Sequence, residues 1–376
     1  KLSKWEFASK VSDIIKGKEL VNLKKTDSKK RTFRKIQGFD PANNAGGKSS
    51  KDCTLILCEG LSAKTYAVCG IDQGFGGKKG RNWFGIYPLR GKMLNSRNAS
   101  IDSITKNREL TDLIQALGIK HGLDYTQNQF FNTLSYGKVM ILTDADVDGI
   151  HISGLIMNFF HSMFPSLLKR DESFIISMQT PIVKVFLSQE KLIFYDEYDF
   201  EEYREKNKNK KLKIKYYKGL GTSSDKEVRE TFGKKIVKYD EDEETNKNMD
   251  KVFHTKFANH RKTWLEEYDP KQRLRFGEDP VSNMSFSNFL DNQLIQFSIN
   301  DCKRSLPDLF DGLKESHRKI LYSVFLKNLK NSGEPFKVAQ LAGYTAEKSN
   351  YHHGEQCLFE TITKMAQDFP GSNNIP

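Results

Sequence analysis

Short apolar runs alternate along the chain with longer segments of helical periodicity. Residues 54–58 and 138–143 are continuous apolar runs of the kind that forms buried parallel strands. Segments with a helical pattern follow them, at residues 62–70 and 151–168, and residues 174–186 form a third strand candidate. This strand–turn–helix order predicts an α/β fold built on a parallel sheet.

The flanking segments have a different character. Residues 1–50 contain 13 Lys or Arg and 5 Asp or Glu, which indicates a basic, loop-rich lead-in. Residues 201–250 are dominated by Lys, Glu, Asp and Asn, and the acidic run at residues 240–244 is interpreted as a solvated loop. Beyond residue 280 the pattern becomes helical again. The predicted helices there are residues 285–302, 312–329 and 337–347.

Length and charge narrow the class of protein. A chain of 376 residues favours two or three domains, and 37% hydrophobic residues with 29% charged residues is a globular composition. No apolar run approaches the ~18 residues that a membrane span needs. The net charge of +12 indicates a polyanionic partner, nucleic acid before a membrane surface, although a merely lysine-rich protein would have the same charge. The chain begins with Lys1, which suggests a fragment.

Three aspartates follow the second predicted strand at alternate positions. Asp144, Asp146 and Asp148 precede Gly149, a spacing that can bring carboxylates to one divalent cation. An EF-hand loop is excluded, because its twelfth position would be Leu155 and not a glutamate, and because a strand precedes the motif. The alternative is a solvated acidic turn. Carboxylates this close repel one another unless a cation compensates them, so a metal site is favoured.

Glu59 ends the first predicted strand. The carboxyl ends of parallel strands meet at one edge of a sheet, so Glu59 is expected beside the aspartates, and together they predict a magnesium site. Two phosphate-binding patterns fail: a P-loop ending at residues 47–49 would need glycine at Ala42, and a dinucleotide loop at residues 74–79 would need glycine at Lys79. No nucleoside triphosphate site is predicted.

Basic residues interleaved with glycine and aromatic rings form three further segments, at residues 87–95, 215–222 and 350–354. Such segments can approach a phosphate backbone closely, and each alone is equally well interpreted as a surface turn. Adjacent His352 and His353 point apart, which favours phosphate contact over metal binding.

Taken in order, these motifs resemble those of type IIA DNA topoisomerases of the eukaryotic and large-DNA-virus kind. The matching segments, which span residues 36–376, are residues 59–64 (EGLSAK), 88–95 (PLRGKMLN), 144–149 (DADVDG), 216–222 (YYKGLGT), 304–307 (RSLP), 311–314 (DGLK), 338–343 (VAQLAG), 351–355 (YHHGE) and 369–374 (FPGSNN).

The resemblance implies an α/β Toprim core, a Rossmann-like parallel sheet with helices on both faces, followed by a mainly helical winged-helix domain. The implied domains are a lead-in or linker at residues 1–50, the Toprim core at 51–190, the Toprim insert with the last Toprim motif and a connecting helix at 191–280, and the start of the winged-helix domain at 281–376.

The resemblance also implies the site residues. Catalysis is expected from Glu59, Asp144, Asp146, Arg90 and Lys92, and metal binding from Glu59, Asp144, Asp146 and Asp148. The expected DNA contacts are Arg90, Lys92, Asn95, Lys218, Lys256, Arg304, Asp311, Lys314, Arg318, Tyr351, His352 and His353. The implied cofactor is Mg²⁺, for which Mn²⁺ or Ca²⁺ can substitute in binding, with ATP used only by the ATPase module of the full-length enzyme.

Departures from the family pattern include Ala145 and Val147, where the family has glutamines within the aspartate turn, and residues 315–317, where it has Pro-Gly-Gln. Leu61 stands where the family has Asp, and none of the 14 tyrosines follows an arginine as the nucleophilic tyrosine does. The chain is therefore expected to bind duplex DNA and magnesium without cleaving alone, as part of a homodimer. The implied location is intracellular, in host cytoplasm for a virus and otherwise in the nucleus, without membrane attachment. The alternatives are another Toprim enzyme, a primase or nuclease, and a non-catalytic DNA-binding scaffold.

Overall fold

A computed structural model describes residues 6–27, 36–187, 190–217, 219–269, 279–330, 333–351 and 354–367. The chain divides into two compact units, residues 1–295 and 296–376. The described strands, all in the first unit, are β1 Thr54–Glu59, β2 Phe84–Leu89, β3 Lys138–Leu142, β4 Ile175–Met178, β5 Val183–Phe186, β6 Lys191–Phe194, β7 Lys213–Tyr216, β8 Ile236–Asp240 and β9 Val281–Ser285.

The helices of the first unit are interleaved with these strands. They are α1 Glu6–Leu23, α2 Gly60–Gly70, α3 Ile101–Lys106, α4 Arg108–Leu117, α5 Asn128–Phe131, α6 Val147–Met163, α7 Glu197–Lys206, α8 Asp225–Thr231, α9 Thr245–Phe253, α10 Ala258–Glu266 and α11 Phe286–Phe289, followed by a π-helical turn at Leu290–Leu294.

A six-stranded sheet in the order β2-β1-β3-β4-β8-β9 forms the centre of the first unit. Strands β2, β1, β3 and β4 run parallel, β8 is antiparallel to β4, and β9 is parallel to β8. The first two predicted strands, β1 and β3, are thus confirmed as central and parallel.

The apolar runs explain why both faces of this sheet are buried. Side chains of a strand alternate between its two faces, and both alternating sets of β1 are buried: Ile56 and Cys58 on one face, Leu55 and Leu57 on the other. Both faces of the sheet are therefore covered. On the first face α2 and α8 pack over Ile56 and its neighbours. The predicted α/β fold is confirmed.

The third predicted strand, residues 174–186, is wrong as a single element. The chain forms β4 up to Met178, leaves the large sheet, and then enters β5, which belongs to a separate antiparallel sheet in the order β6-β5-β7. Pro181 lies between the two strands. Proline has no amide hydrogen to donate to a sheet ladder, so an unbroken central strand across this position is disfavoured.

Two loop predictions also need correction. The lead-in contains the 18-residue helix α1, which has one interior glycine, Gly17, and no proline. In the acidic run, residues 242–244 are exposed as predicted, but Asp240 ends β8 and Asp242 is tied into the fold. The Asp242 carboxylate accepts hydrogen bonds from Thr245 at 2.9 Å and from Ser287 at 2.7 Å, which joins the start of α9 to α11.

The second unit is helical in its described residues. Its elements are α12 Ile295–Ser305, α13 Glu315–Leu326, α14 Val338–Ser349 and α15 Glu355–Ala366. Ile320, Leu341, Ala342, Leu358, Ile362 and Met365 form its buried core. The three helices predicted beyond residue 280 are confirmed, and so is a mainly helical second part. The predicted domain boundaries and the winged-helix form stay predictions.

Candidate functional site at the carboxyl edge of the parallel sheet

Three parallel strands end side by side at one edge of the sheet. Glu59 of β1 pairs in register with Leu89 of β2, and Cys58 pairs with Leu142 of β3. The residues that follow these strand ends therefore lie together, as the sequence predicted for Glu59 and the aspartates.

Glu59 and Asp144 are directly linked. The backbone amide of Asp144 donates to Glu59 Oε2 at 3.2 Å, and the amide of Leu220 donates to Asp144 Oδ1 at 2.8 Å. Gly60 has φ of +75°, a left-handed conformation that lets the chain turn from β1 straight into α2. Two carboxylates from neighbouring strands are thereby fixed at the same edge.

Asp146 and Asp148 have different partners. Asp146 is the N-cap of α6, and its Oδ1 accepts from the amide of Gly149 at 2.8 Å. Asp148, in the first turn of α6, is bonded to Lys92 Nζ at 2.6 Å. Lys92, a lysine that the resemblance assigned to phosphate, thus pairs with one member of the aspartate cluster.

The pKa values of two of these carboxylates, Glu59 and Asp144, are raised. Burial, and then the negative charges of Asp146, Asp144 and Asp148, raise the pKa of Glu59 to about 7 against the hydrogen bond from the Asp144 amide. Burial and Asp146 likewise raise the pKa of Asp144, although the amide of Leu220 opposes this. Burial and the neighbouring carboxylates thus both disfavour the ionised forms of Glu59 and Asp144.

A hard divalent cation matches this donor set, because carboxylate oxygens are the ligands that Mg²⁺ prefers. The four carboxylates do not converge on one point, however, since Asp146 caps a helix and Asp148 holds Lys92. Over the described part of the chain, no three acidic, histidine or cysteine side chains are grouped to hold a metal ion. Glu59 is bonded to the backbone amide of Asp144, and the charges of Asp146, Asp144 and Asp148 all act on it.

Arg90 and Asn95 lie on the segment that follows β2. Arg90 Nη2 donates to Gln37 at 3.0 Å, and its backbone amide donates to Glu109. The side-chain amide of Asn95 donates to the carbonyl of Phe253 at 2.8 Å and its oxygen accepts from Asn158 at 2.9 Å. Asn95 thus links the segment after β2 to α6 and α9. The sequence did not predict this structural role.

The remaining predicted DNA contacts of the first unit are Lys218 and Lys256. Lys256 is exposed, in the short 3₁₀ turn Thr255–Phe257 that precedes α10. Lys218, like His352 and His353 of the second unit, lies outside the described residues.

Within the second unit, the predicted contacts cluster around α13. Arg318 forms a paired hydrogen bond with Asp311, with Nη2 2.8 Å from Oδ1 and Nε 3.0 Å from Oδ2. Lys314 is the N-cap residue of α13, and Arg304 Nε lies 3.3 Å from Asp301. Tyr351 is half-buried against the core, with Lys319 over its ring.

A network missed by the sequence reasoning lies at the far end of α6. The Arg97 guanidinium donates to Asn158 at 3.0 Å, to Asp250 at 2.8 Å and toward His161 Nδ1 at 2.6 Å. His161 Nε2 lies 3.4 Å from Glu241. These contacts need a neutral imidazole that accepts at Nδ1. No local motif indicates this arrangement, because its members come from three distant parts of the chain, residues 97, 158–161 and 241–250.

This network predicts a pH dependence of stability. Burial, followed by the charge of Arg97, lowers the pKa of His161 to about 4. Because the unfolded chain takes up a proton near pH 6.5 and the folded one does not, stability is lost as the pH falls from about 6.5 toward 4. Between pH 7 and pH 5 the free energy of unfolding should fall by about 2 kcal/mol on this account. Denaturant unfolding of His161→Gln should show a smaller fall, and an equal fall would contradict the assignment.

Models of three protein families match consecutive regions of the chain. The Toprim domain model matches residues 54–178, the model of the C-terminal associated domain of TOPRIM matches residues 178–302, and the DNA gyrase/topoisomerase IV model matches residues 304–376. Among the described helices, none has both the length and the hydrophobicity that crossing a membrane requires.

Similar whole chains agree with these matches. The chain is 45% identical to DNA topoisomerase 2 of Invertebrate iridescent virus 6, 43% to the probable DNA topoisomerase 2 of Dictyostelium discoideum and 42% to human DNA topoisomerase 2-alpha. These alignments cover 100%, 99% and 96% of the chain but 35%, 24% and 24% of the relatives. The solved Plasmodium falciparum topoisomerase II DNA-binding, cleavage and re-ligation domain superposes with a TM-score of 0.75 at 38% identity, over 92% of this chain and 46% of that one.

A parallel sheet whose carboxyl edge carries Glu59 and the aspartate turn defines a Toprim protein. Together with the two regions that follow, this sheet makes the whole chain similar to part of the type II DNA topoisomerases, and the chain spans about a quarter to a third of the length of these relatives.

Proposed function

We propose that this chain supplies the metal site and part of the DNA-binding surface of an ATP-dependent type II topoisomerase. Such an enzyme cuts both strands of one duplex, passes a second duplex through the break and reseals it, which relaxes and decatenates DNA. The observation that carries the proposal is the meeting of Glu59, Asp144 and the Asp148–Lys92 pair at one sheet edge. We propose Mg²⁺ as the cofactor, duplex DNA and a second copy of the protein as partners, and a place of action wherever DNA is replicated.

The proposed reaction is a transesterification. A tyrosine oxygen forms a bond to phosphorus while the bond from phosphorus to the 3′ oxygen breaks, leaving a 5′-phosphotyrosyl link and a 3′-hydroxyl. The tyrosine is assigned to another segment of the full-length enzyme, because no tyrosine of this chain follows an arginine. Glu59 and Asp144 would hold a magnesium ion, with Asp146 and Asp148 supporting a second ion position, and the bound ion would supply Lewis-acid stabilisation of the departing oxygen.

The other side chains at this edge are assigned to the DNA phosphate and to the orientation of Lys92. Arg90 and Lys92 neutralise the phosphate beside the break, and Asp148 orients Lys92 Nζ toward the edge. In the second unit, Arg304, Lys314 and Arg318 with Tyr351, His352 and His353 are assigned to the DNA backbone. Asp311 holds the Arg318 guanidinium flat by its paired hydrogen bonds.

The full-length protein tests this proposal. With ATP and Mg²⁺ it should separate interlinked DNA circles, and a denaturant quench should trap protein covalently joined to 5′ DNA ends. Cleavage without resealing would favour another Toprim enzyme, and DNA binding without any covalent adduct would favour a scaffold.

Lys92→Gln gives a separate prediction about DNA binding. Loss of one phosphate contact should make the slope of log affinity against log salt shallower by about 0.9. Titration by fluorescence anisotropy at several salt concentrations measures the slope. The matched control is Lys206→Gln, which also breaks an ion pair, that with Glu202 at 2.7 Å, but lies on α7. An unchanged slope for Lys92→Gln would remove Lys92 from the phosphate contacts.

A further inference from the structure

One carboxylate accepts hydrogen bonds from Tyr217 and from Ser224, the two ends of a loop that is described at Tyr217 and at residues 219–224 and is called the 217–224 loop. Tyr217 Oη donates to Glu227 Oε1 at 2.6 Å, and Ser224 donates to Oε2 from its amide at 3.0 Å and from its hydroxyl at 2.9 Å. Lys215 Nζ lies 2.7 Å and 2.8 Å from the two oxygens. The Glu227 side chain is 14% exposed. Glu227 therefore closes the base of the 217–224 loop.

The middle of the same loop lies against Asp144. The amide of Leu220 donates to Asp144 Oδ1 at 2.8 Å. A Cβ atom added to Gly219 would lie 2.8 Å from Asp144 Oδ2, and one added to Gly221 would lie 3.5 Å from Ser62 Cβ. The described loop backbone thus lies against the Asp144 carboxylate and close to Ser62 at the start of α2.

Helix α8, which carries Glu227, is fixed to the core. Thr231 Oγ1 is 2.8 Å from Tyr66 Oη of α2, in a buried hydrogen bond. On the side of the small sheet, Lys184 of β5 is only 1% exposed, and its Nζ lies 3.1 Å from Glu230 and 4.0 Å from Glu227. Glu227 stands where the core, the small sheet and the loop meet.

We propose that Glu227 is a positioning residue for the metal site: by closing the 217–224 loop it holds the Leu220 amide on Asp144. This inference rests on the proposed function, in which Asp144 is a metal ligand. Since charge-assisted hydrogen bonds are stronger than neutral ones, the ionised carboxylate is the element that keeps the loop closed. The Ser224-x-x-Glu227 spacing is a capping-box pattern, and here the same glutamate also receives Tyr217 and Lys215.

The variant Glu227→Gln tests the proposal in the full-length protein. Glutamine has one acceptor oxygen in place of two, so part of the donor set of Glu227 loses its acceptor. In metal-free protein, amide hydrogen exchange over residues 219–223 should become about tenfold faster or more, because the loop opens more often. Mn²⁺ binding, followed by electron paramagnetic resonance, should weaken by about tenfold as Asp144 loses its fixed orientation.

The control is Glu230→Gln on the same helix. Glu230 also accepts from lysines, but these are Lys184 and Lys191 of the small sheet, whereas Tyr217 and Ser224 of the loop donate to Glu227. Its loop exchange and Mn²⁺ affinity should match the wild type. If Glu227→Gln fails to fold, Tyr217→Phe removes one donor alone and should give a smaller change in the same direction.

The outcomes separate the inference from the proposed function. Unchanged loop exchange in Glu227→Gln overturns the inference, and so does faster exchange with unchanged Mn²⁺ affinity. In cleavage assays the variant should need about tenfold more Mg²⁺ for half-maximal cleavage and approach the wild-type level at saturation. A wild type that binds Mn²⁺ but never cleaves DNA would remove the proposed function and leave the inference standing.

Discussion

Asp146→Asn in the full-length protein is expected to abolish magnesium-dependent DNA cleavage while leaving the fold intact. Asparagine is as good an N-cap as aspartate, so the bond from the Gly149 amide at 2.8 Å should survive and α6 should begin as before. The change removes one negative charge from the edge. A metal ion contributes several kcal/mol of transition-state stabilisation, so its loss should lower the cleavage rate by about a thousandfold or more.

The readouts are the yield of covalent protein–DNA adduct and, separately, DNA affinity without metal. Affinity should stay within a few-fold of the wild type, because an acidic residue is removed and no basic one is lost. The matched control is Asp196→Asn, which makes the same change at the N-cap of α7, where the carboxylate accepts from the amide of Tyr198 at 2.7 Å. Full cleavage by Asp146→Asn would contradict the assignment of the metal site.

Gly149→Ala should damage both stability and cleavage. Alanine in a helix is normally favoured over glycine by up to about 1 kcal/mol. Here a Cβ atom would lie 2.2 Å from the backbone oxygen of Asp144, a fixed group that cannot step aside. The aspartate turn must then shift, which should destabilise the fold by about 1–3 kcal/mol. A displacement of about 1 Å at a catalytic group can cost about a hundredfold in rate.

The comparison is with Gly154→Ala, five residues further along α6. A Cβ atom there would meet the tips of Leu294 and Phe253 at 3.1 Å and 3.4 Å, and these side chains can move. Thermal melts and cleavage assays of both variants measure the difference. If Gly149→Ala were as stable and as active as Gly154→Ala, the turn would not be held by its contact with the helix.

The parallel edge was predictable because its information is local. The apolar runs of β1 and β3 and the charged residues that directly follow them are visible in the sequence, and the rule that parallel strands end at one edge brings Glu59 to the aspartates. The contacts between distant segments were not predictable in this way. Lys92 is 56 residues from Asp148, and nothing in either motif shows that they pair.

The errors have physical causes as well. A run of β-branched and aromatic residues across residues 174–186 has the composition of one strand, and only the lack of a donor at Pro181 indicates two. The basic charge of residues 1–50 favoured a loop, but its excess lies outside α1, which carries three Lys against three Asp or Glu and has no helix breaker other than Gly17. The capping box of Glu227 with Ser224 was visible in the sequence. Its contact with Lys215 was not, because that contact depends on β7 lying beside α8.

The shared register of β1, β2 and β3 also limits where insertions and deletions can be accepted during evolution. The loop that enters β2, residues 71–83, lies at the opposite edge. An insertion there lengthens a surface loop without moving Glu59 or Asp144. One extra residue within β3 would instead turn every later side chain of that strand to the other face. Insertions and deletions among descendants of this sequence are therefore expected at the entering loop and not after the strand ends.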